Sequence, residues 1–523
     1  MHPYTRYFPV RATDDCLDLN SVLYAGLTQA SSRHLMSFEG VDWDVARVSA
    51  LVVQIQNYFA EKGVIAGSRV AVMARNDPLH IALIYAMALS GIVWVPINVK
   101  LKATGIEYVL QHCKPRMLIV DSAFESEATL ACTHTASIEI VAIDAIAGSA
   151  HGSDTAPAVF APSTPRRADV DPQHLLCIIY TSGTTGPPKG VLFSHRMMRI
   201  ASESARIVAG VRTGDRLFLW EPLCHIGGAQ MLLVPFLDEV TLVAVSGFSA
   251  SKFWGQVISG RCTHVHYLGG ILDILMRQPA SDKPATHPLR VGWGAGVSAS
   301  AWPAMRERFG FALRECYGMT EGSSFATFNQ TDTPGSIGRP MRWLKVELLG
   351  EDDQPVPCGE LGQIVLSSEV QGIFMSAYLD NPEATAKMLR NGKLYTGDIA
   401  RADAEGNYYF VGRQTDSMRV RGENVSAWEI ERAVLNYPGI RAAAAVGVTS
   451  EVGEQEVLLY VNWQGVKDGS LAALSQWLAD KLASFQVPRF YATVDRFELT
   501  PSERVRKHLL ARDPTTAWDR LTG

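Results

Sequence analysis

The chain has 523 residues, which is too long for one hydrophobic core and predicts two or more domains. Apolar residues make up 47% and charged residues 19%, as in an ordinary globular protein, and the net charge of -5 gives no reason to expect nucleic acid or an anionic membrane as partner. The eight cysteines lack CxxC spacing and the N-terminus lacks an export-signal pattern, so we expect reduced thiols in the cytoplasm.

Helical and strand patterns alternate through the first part of the chain. Apolar spacing predicts helices at residues 19–28, 45–62, 80–89 and 105–113, and strands at residues 70–74, 92–96 and 117–120. Such alternation is typical of parallel strands joined by helical crossovers, an α/β domain. The uncharged stretch 81–97 could be read as a membrane span, but Gly91 and Pro96 favour a buried helix followed by a buried strand.

A polar loop follows a predicted surface connection at residues 145–172 and a short apolar strand at residues 175–179. It reads Tyr-Thr-Ser-Gly-Thr-Thr-Gly-Pro-Pro-Lys-Gly over residues 180–190. Glycines let backbone N–H groups turn towards an anion, hydroxyls add donors, and Lys189 adds a positive charge. The loop is not a Walker A motif, because Pro187 and Pro188 precede Lys189 and no helix opens after it. The pattern predicts a loop that binds nucleotide phosphates.

This loop resembles the signature loop of the adenylate-forming (ANL) superfamily, which includes acyl-CoA synthetases, peptide-synthetase adenylation domains and luciferases. The resemblance extends over nearly the whole chain and is closest to the crotonobetaine/carnitine- and fatty-acid-CoA ligase-like branch. It implies an α/β fold with a large N-terminal domain of αβ subdomains (residues 1–412), a hinge (413–417) and a small mobile α+β lid (418–523). Within it, Thr181, Ser182, Gly183, Thr184, Thr185, Gly186 and Lys189 are implied to bind nucleotide, with Thr185 also catalytic.

Two histidine segments lie in the middle of the chain. A helix predicted from Ser194 to about residue 209 and a strand at 216–219 precede His225, and an apolar helix is predicted after residues 226–228. The resemblance places His225 over the acid-binding pocket, although its neighbour Cys224 is smaller than the usual aromatic residue. The alternating segment 263–267 would place His264 and His266 on one face of a strand, a spacing compatible with metal binding. No third ligand is near in sequence, so buried structural histidines are the favoured alternative.

A second motif, Glu-Cys-Tyr-Gly-Met-Thr-Glu, covers residues 315–321 after a predicted strand at 311–314. Tyr317 can stack on adenine, Thr320 can bond the α-phosphate and Glu321 can hold Mg²⁺. The motif resembles the superfamily's Tyr-Gly-x-Thr-Glu segment without departure. The resemblance also places the glycine-rich strand 289–296 beside the adenine and the acyl group. The implied nucleotide residues here are Gly294, Ala295, Gly296, Glu315, Cys316, Tyr317, Gly318, Met319 and Thr320, and the implied acyl-pocket residues are His225, Leu268, Gly269, Gly270, Gly294, Gly318 and Met319.

A third group of motifs connects the large domain to the lid. The resemblance implies that Asp398 and Arg413 contact the ribose, and it places Thr415 at the hinge, where Asp or Lys is usual. A hinge needs only a residue that can absorb a change in backbone angles, so rotation is still expected. The following loop is implied to face the active site during thioester formation, and its implied CoA-binding residues are Arg421, Gly422 and Glu423. Further helices and strands predict a lid with its own small core.

The C-terminal loop departs from the family pattern. The family carries Gly-Lys-Val-x-Lys, whose first lysine bridges the acid carboxylate and the α-phosphate, whereas residues 503–507 here read Glu-Arg-Val-Arg-Lys. Arg504 therefore stands at the catalytic lysine's position. A guanidinium is a planar fork rather than a compact charge, and loss of a well-placed donor costs roughly 100- to 1000-fold in rate. One alternative is that Arg504 or a displaced Lys507 still supplies the positive charge for adenylation. The other is that adenylation is impaired and the thioester step remains.

The implied enzyme is an acyl-CoA ligase that uses ATP, Mg²⁺ and CoA, with acyl-AMP as intermediate. With Arg504 in place of lysine, it is expected to accept a carboxylic acid or a preformed acyl-adenylate from a separate adenylating ligase. One alternative is an adenylating enzyme that transfers acyl groups to a carrier protein in trans. A second alternative, from another class, is a non-catalytic protein that binds acyl-AMP or nucleotide.

Overall fold

The structure is a computed structural model, and it describes residues 18–29, 32–135, 138–147, 164–181, 187–297, 299, 301–350, 352–413, 417–449, 455–464, 470–498, 505 and 507–523. The described residues form a large domain and a smaller C-terminal domain, each with its own buried apolar cluster. Within these residues, every helix is too short or too polar to cross a lipid bilayer.

The described α-helices lie mainly in the large domain, and several end at glycines. Gly91 and Gly210 adopt left-handed φ angles of 66° and 63° at the ends of their helices, a conformation that costs a glycine little. The α-helices are α1 (Leu19–Thr28), α2 (Val45–Glu61), α3 (Pro78–Ser90), α4 (Ala103–Cys113), α5 (Glu125–Ala131), α6 (Ile143–Ala147), α7 (His195–Ala209), α8 (Ile226–Ala229), α9 (Val234–Leu237), α10 (Ala250–Ser259), α11 (Gly269–Arg277), α12 (Trp302–Phe309), α13 (Pro382–Met388), α14 (Ala427–Leu435) and α15 (Leu471–Ala479).

The strands build several sheets, most of whose central strands are buried apolar runs. They are β1 (His34–Phe38), β2 (Val41–Asp44), β3 (Arg69–Met73), β4 (Val93–Pro96), β5 (Met117–Val120), β6 (Glu139–Ala142), β7 (Leu175–Thr181), β8 (Lys189–Ser194), β9 (Arg216–Leu219), β10 (Thr241–Ala244), β11 (His264–Leu268), β12 (Val291–Ala295), β13 (Ala312–Met319), β14 (Ser324–Phe328), β15 (Arg339–Pro340), β16 (Lys345–Leu349), β17 (Gly362–Ser367), β18 (Leu389–Arg390), β19 (Lys393–Ala402), β20 (Tyr408–Arg413), β21 (Ser417–Val420), β22 (Glu423–Ser426), β23 (Ile440–Thr449), β24 (Gln455–Trp463), β25 (Phe490–Thr493) and β26 (Trp518–Asp519).

Two mainly parallel sheets dominate the large domain. Their strand orders are β6-β5-β3-β4-β7-β8 and β15-β14-β13-β12-β11-β9-β10-β1-β2. Helix α7 is buried along its whole length, as expected for a helix enclosed by the packed elements of the large domain. Because the central strands of each sheet are parallel, their carboxyl ends meet at one edge, where ligands bind in open α/β sheets.

Two further regions lie beyond these sheets. An antiparallel sheet has the order β16-β17-β19-β18, with β20 paired to β19. The smaller domain contains the hairpin β21-β22 and the sheet β23-β24-β25-β26, packed with α14 and α15 around buried apolar side chains. The structure therefore has the large α/β domain and small α+β domain that the sequence predicted.

The predicted elements of the first domain are confirmed with end shifts of at most two residues. Helix α3, from the uncharged stretch, is buried and is followed by the buried strand β4, so the alternative of a membrane span is wrong. Two predictions need correction. Strand β13 runs through the second motif to Met319 instead of ending before it, and the apolar helix expected after His225 is two single turns, α8 and α9.

Candidate active site

A cleft lies where the carboxyl ends of strands from both parallel sheets face the smaller domain. It encloses about 350 Å³, within the range typical of small-molecule sites. Strands β4, β7, β11 and β12 end at or beside residues that line it. Among the described residues, the lining includes Ile97, Asn98, Thr181, Lys189, Glu221, His225, Gly227, His266, Leu268, Ala295, Cys316, Gly318, Met319, Thr320, Glu321, Ser324, Phe325, Tyr378, Arg419, Gly422 and Glu423.

The second and third sequence motifs meet at one end of this cleft. The Tyr317 hydroxyl donates a hydrogen bond of 2.7 Å to Asp398 Oδ2, and the Tyr317 ring stacks at 6.1 Å on Phe410. Backbone pairing sets Arg413 opposite Asp398 across β19 and β20. Residues more than eighty positions apart in the chain therefore form one planar surface with a carboxylate beside it, which is suited to a base and its ribose.

Glu321 lies at the centre of a polar cluster next to the phosphate loop. Its Oε1 accepts hydrogen bonds from the Tyr378 hydroxyl at 2.7 Å and from Thr181 Oγ1 at 3.3 Å. Lys189 Nζ lies 5.2 Å from the Tyr378 ring centre, and burial lowers the pKa of Lys189 although Glu321 opposes that shift. Tyr378 was not predicted as a site residue, because its segment carries no motif.

The glycine-rich strand β12 approaches its neighbours too closely for side chains. A Cβ on Gly294 would overlap the carbonyl oxygen of Tyr267 on β11. Next to it, Glu315 is buried, accepts backbone hydrogen bonds from Gly296 and Val297, and accepts a hydrogen bond of 2.9 Å from the Tyr267 hydroxyl. Burial raises the pKa of Glu315 to about 8 despite these donors. Glu315 therefore fixes the shape of the segment beside the predicted adenine site.

Ionic contacts join the smaller domain to the large one, and we call this group of residues the lid seam: Asn98, Lys100, His225 and Glu423. Glu423 has only 6% of its side chain exposed and lies 2.8 Å from Lys100 Nζ and 2.9 Å from His225 Nε2. Burial opposes ionisation of Glu423, but His225 and Lys100 lower its pKa to about 2. Burial likewise opposes the charged form of His225, while Cys224 and Glu423 raise its pKa well above its ordinary value. The lid seam therefore holds a carboxylate against two cations.

A second carboxylate, Glu221, was missed by sequence reasoning. It follows β9 and lines the cleft beside His266, whose Nδ1 lies 2.6 Å from Glu221 Oε2. A Cβ on Gly227 would overlap the Glu221 carboxylate, so the glycine provides the space that this side chain occupies. The sequence signal was a lone acidic residue just after a buried strand, a position typical of ligand contacts in parallel sheets.

The predicted residues are brought together unevenly. Those of the second motif, with Ala295, Leu268, His225, Lys189, Gly422 and Glu423, line the cleft or adjoin it. Arg421 instead turns towards Glu456 of its own domain, 3.8 Å away, and is 47% exposed. Gly269 and Gly270 open α11 directly after Leu268. Ser182, Gly183, Thr184, Thr185, Gly186, Thr415 and Arg504 lie outside the described residues.

The two histidines of β11 do not share a metal site. His264 Nδ1 lies 3.8 Å from Asp215, and His266 pairs with Glu221, so each histidine has its own carboxylate. Within the described residues there is also no group of three or more His, Cys, Asp or Glu side chains arranged to hold a metal ion. His264 and His266 are both buried, and each is paired with a carboxylate from another part of the sheet rather than with the other histidine.

Residues 27–379 match the family model for AMP-binding enzymes, and residues 429–504 match the model for the AMP-binding enzyme C-terminal domain. The first match alone covers more than half of the chain. The chain therefore belongs to the AMP-binding enzyme family, the adenylate-forming superfamily that its motifs resemble. It is an adenylate-forming enzyme of the acyl-CoA ligase type, a class that uses ATP and CoA and proceeds through an acyl-adenylate.

Curated relatives are similar over most of their length. A crotonobetaine/carnitine–CoA ligase of Shigella sonnei is 29% identical over 83% of this chain and 86% of its own. A sulfoacetate–CoA ligase of Cupriavidus necator is 28% identical over 92% of this chain and 93% of its own. An amide bond synthetase from Marinactinospora thermotolerans has a TM-score of 0.82 at 25% identity, covering 94% of this chain and 98% of its own.

One solved enzyme is similar in several states. The o-succinylbenzoate CoA synthetase of Bacillus subtilis, as a double mutant bound to its product analogue, gives a TM-score of 0.82 at 22% identity over 93% of this chain and 97% of its own. The same enzyme bound to its acyl-adenylate gives 0.68 at the same identity and coverage. The fold of this chain is therefore similar to that enzyme in both states, with the higher TM-score for the complex with the product analogue.

Proposed function

We propose that this chain forms an acyl-CoA thioester from an acyl-adenylate and CoA, in the domain arrangement seen here. The observation that carries the proposal is the position of Gly422 and Glu423. They line the cleft, where Glu423 contacts His225 and a Cβ built on Gly422 would lie 3.8 Å from Leu268 Cδ1. A glycine at this point leaves room for a slender thiol arm to reach the acyl carbon.

The remaining residues divide between nucleotide and acid. Tyr317 and Asp398 would bind the adenosine part of the adenylate, with Arg413 beside the ribose, while Thr320, Lys189 and the loop containing Thr185 would bind phosphate. Glu321 would hold Mg²⁺, and a single carboxylate fits that ion, which usually takes one or two carboxylates and completes its shell with phosphate and water. A bound Mg²⁺ neutralises phosphate charge. We place the hinge at residues 413–417, next to the end of β20.

Adenylation is the weaker half of the activity. Arg504 replaces the lysine that the superfamily uses for this step, and Glu503 adds a negative charge beside it. Lys507 is 2.6 Å from Glu431 on α14, a contact within the smaller domain, and its side chain does not line the cleft in this arrangement. We therefore propose that the enzyme uses acyl-adenylate supplied by a separate adenylating ligase more efficiently than free acid plus ATP.

The test compares two assays on the full chain. Release of free CoA thiol is followed with free acids plus ATP and, in parallel, with synthetic acyl-adenylates. Pyrophosphate exchange is measured for wild type and Arg504→Lys. We expect thioester formation from adenylates, weak exchange in wild type, and a gain of roughly 100-fold in exchange for Arg504→Lys. Robust exchange by wild type with no gain in the variant would defeat the adenylation proposal and leave the thioester proposal standing.

The acceptor is tested in the same assay. A phosphopantetheinylated carrier protein and a primary amine replace CoA in separate arms, the amine because an amide bond synthetase is among the structures that this chain resembles. We expect turnover with CoA to exceed both. No turnover with any acceptor, together with tight adenylate binding, would instead favour a non-catalytic acyl-AMP-binding protein.

A further inference from the structure

We propose that the Glu221–His266 pair selects acids whose acyl part ends in a hydrogen-bond-donating group, a hydroxyl or an ammonium. The proposal rests on the proposed function, because it concerns the acyl end of the same cleft. That end of the cleft has an unusual composition. An apolar pocket suits a simple fatty acid, yet here a buried carboxylate forms part of the wall.

The carboxylate of Glu221 is held in place but retains capacity to accept hydrogen bonds. Asn76 Nδ2 donates to the Glu221 carbonyl at 2.9 Å, and the Leu223 N–H donates to Asn76 Oδ1 at 3.2 Å, which fixes the backbone on both sides. The Glu221 carboxylate has no comparable set of hydrogen-bond donors. His266 Nδ1 lies 2.6 Å from Oε2, and among the described residues no second side chain pairs with this carboxylate. A carboxylate accepts several hydrogen bonds, so capacity remains for a ligand.

The charge at this position favours a donor over an acceptor. Burial opposes ionisation of Glu221, but His266, with His225 and Arg419 further away, lowers its pKa, so it is anionic at neutral pH. An anionic end group on the acid would meet this carboxylate in a desolvated pocket, where like charges repel strongly. A methyl group would cover the carboxylate without replacing its lost hydration. A hydroxyl or an ammonium would donate to it.

The surrounding side chains limit the size of that end group. His266 packs against Trp293 with ring centres 4.4 Å apart, and Phe325 lies 5.7 Å from Trp293, so an aromatic wall stands behind the histidine. Trp220 Nε1 donates a hydrogen bond of 2.7 Å to the His266 carbonyl and fixes the strand. The Glu221–His266 pair is therefore backed by a rigid aromatic surface, which suits a short polar acid better than a long alkyl chain.

The experiment uses stable acyl-sulfamate analogues of the adenylate with propanoyl chains that end in methyl, hydroxyl, ammonium or carboxylate, and a second set one carbon longer. Calorimetry gives their affinities for the full chain, and CoA turnover is measured with the corresponding adenylates. We expect hydroxyl or ammonium chains to bind roughly 10- to 100-fold more tightly than methyl chains, and carboxylate chains to bind most weakly. Comparison of the hydroxyl and ammonium arms identifies which donor is used.

Two variants test the assignment. Glu221→Gln keeps the shape and removes the charge, so the ammonium advantage and the carboxylate penalty should both fall. The matched control is Asp215→Asn, which alters the other carboxylate–histidine pair of the same sheet, away from the cleft, and should leave the ranking unchanged. Preference for methyl or carboxylate chains in wild type, or an unchanged ranking in Glu221→Gln with its fold intact by circular dichroism, would overturn the proposal. A clear binding preference without CoA turnover would overturn the proposed function and leave the Glu221 assignment supported.

Discussion

The end of the cleft where Tyr317 and Asp398 are proposed to bind nucleotide, which we call the nucleotide end, and the lid seam are held by different kinds of contact. At the nucleotide end, Tyr317 and Asp398 are joined by a hydrogen bond between strands of one domain. At the lid seam, Glu423 of the smaller domain contacts His225 and Lys100 of the large one through ion pairs. The first set is fixed by strand register, whereas the second forms only when the domains come together.

This difference fits what each region has to do. A nucleotide site should keep its shape through both half-reactions, and hydrogen bonds within one folded domain provide that. A mobile domain needs contacts that can be broken repeatedly, and a few ion pairs at a partly wetted interface are more easily exchanged for water than a packed apolar core. Substitutions at the nucleotide end should therefore affect binding of the adenylate, and those at the lid seam should affect the thioester step.

The largest effect is expected from Asp398→Ala. The change removes the acceptor of the Tyr317 hydroxyl and the carboxylate proposed to bind the ribose, and each charged hydrogen bond contributes about 1.5–3 kcal/mol. We expect kcat/KM for acyl-adenylate with CoA to fall roughly 100-fold, mainly through KM. Tyr317→Phe is the control, since it keeps the ring and loses only one hydroxyl, so its loss should be much smaller. Equal losses of kcat/KM in the two variants would contradict the larger role proposed for Asp398.

The next effect concerns Glu423→Gln. The amide keeps the size of the side chain but cannot pair with both His225 and Lys100 as an anion. Because Glu423 is nearly buried, we expect the rate of the thioester step to fall about 10- to 30-fold, while calorimetric affinity for AMP stays at the wild-type value. A matched fall in AMP affinity would show that the lid seam and the nucleotide end are not independent.

The pH dependence of domain closure should follow the same residues. The pKa of His225 is higher when the two domains are closed than when they are open. Its contribution to the stability of the closed arrangement is therefore complete below its ordinary pKa of 6.5 and is lost as pH rises through the raised value. Glu423 has a lowered pKa of about 2 when closed, so its contribution is complete above its ordinary pKa of 4.5 and is lost as pH falls towards about 2. Closure of the two domains should be most favourable between pH 4.5 and pH 6.5, the ordinary pKa values of the two groups, and should weaken at alkaline pH.

The measurement is energy transfer between a dye on the exposed Cys358 of the large domain and a second dye on Leu435→Cys, an exposed position of α14. We expect the fraction of closed molecules, read from the energy transfer, to fall several-fold as pH rises past the His225 transition. In His225→Gln the alkaline change should disappear. An alkaline transition that persists in this variant would assign it to another group.

The fold and the motif proposed to bind nucleotide were recognisable in the sequence because their signals are local. Gly91 ends α3 where the uncharged stretch turns into β4, and the motif at residues 315–321 carries Tyr317, Thr320 and Glu321 within five positions of one strand and turn. Strand length was less predictable, since β13 continues through the glycine of its own motif and is held by pairing with β14. Register with a neighbour decided that boundary, and register is not visible in a single sequence.

The acyl end and the lid seam were not predictable for the same reason. Glu221 and His266 are 45 positions apart in the numbering, and Lys100 meets Glu423 across 323 positions, so no local pattern links either pair. His266 was noticed only for its spacing from His264, which suggested a metal rather than a carboxylate partner. What the sequence lacked in each case was the identity of the neighbour, which only the packing of strands and domains supplies.

The smallest effect is expected from Lys100→Met, and it sharpens the comparison by separating the two cations of the lid seam. Lys100 is 46% exposed and its Nζ also lies 5.7 Å from the Phe485 ring of the smaller domain, so its pairing with Glu423 is largely screened by water. Methionine has a similar length and removes the charge, together with its contact to the Phe485 ring. We expect the thioester rate to fall only about threefold at low salt, and the difference from wild type to shrink as ionic strength increases, because added salt screens the exposed pair. The thioester rates of wild type and Lys100→Met are measured from low to high salt. A loss of tenfold or more that does not depend on salt would mean that Lys100, rather than His225, is the main cation holding the two domains together.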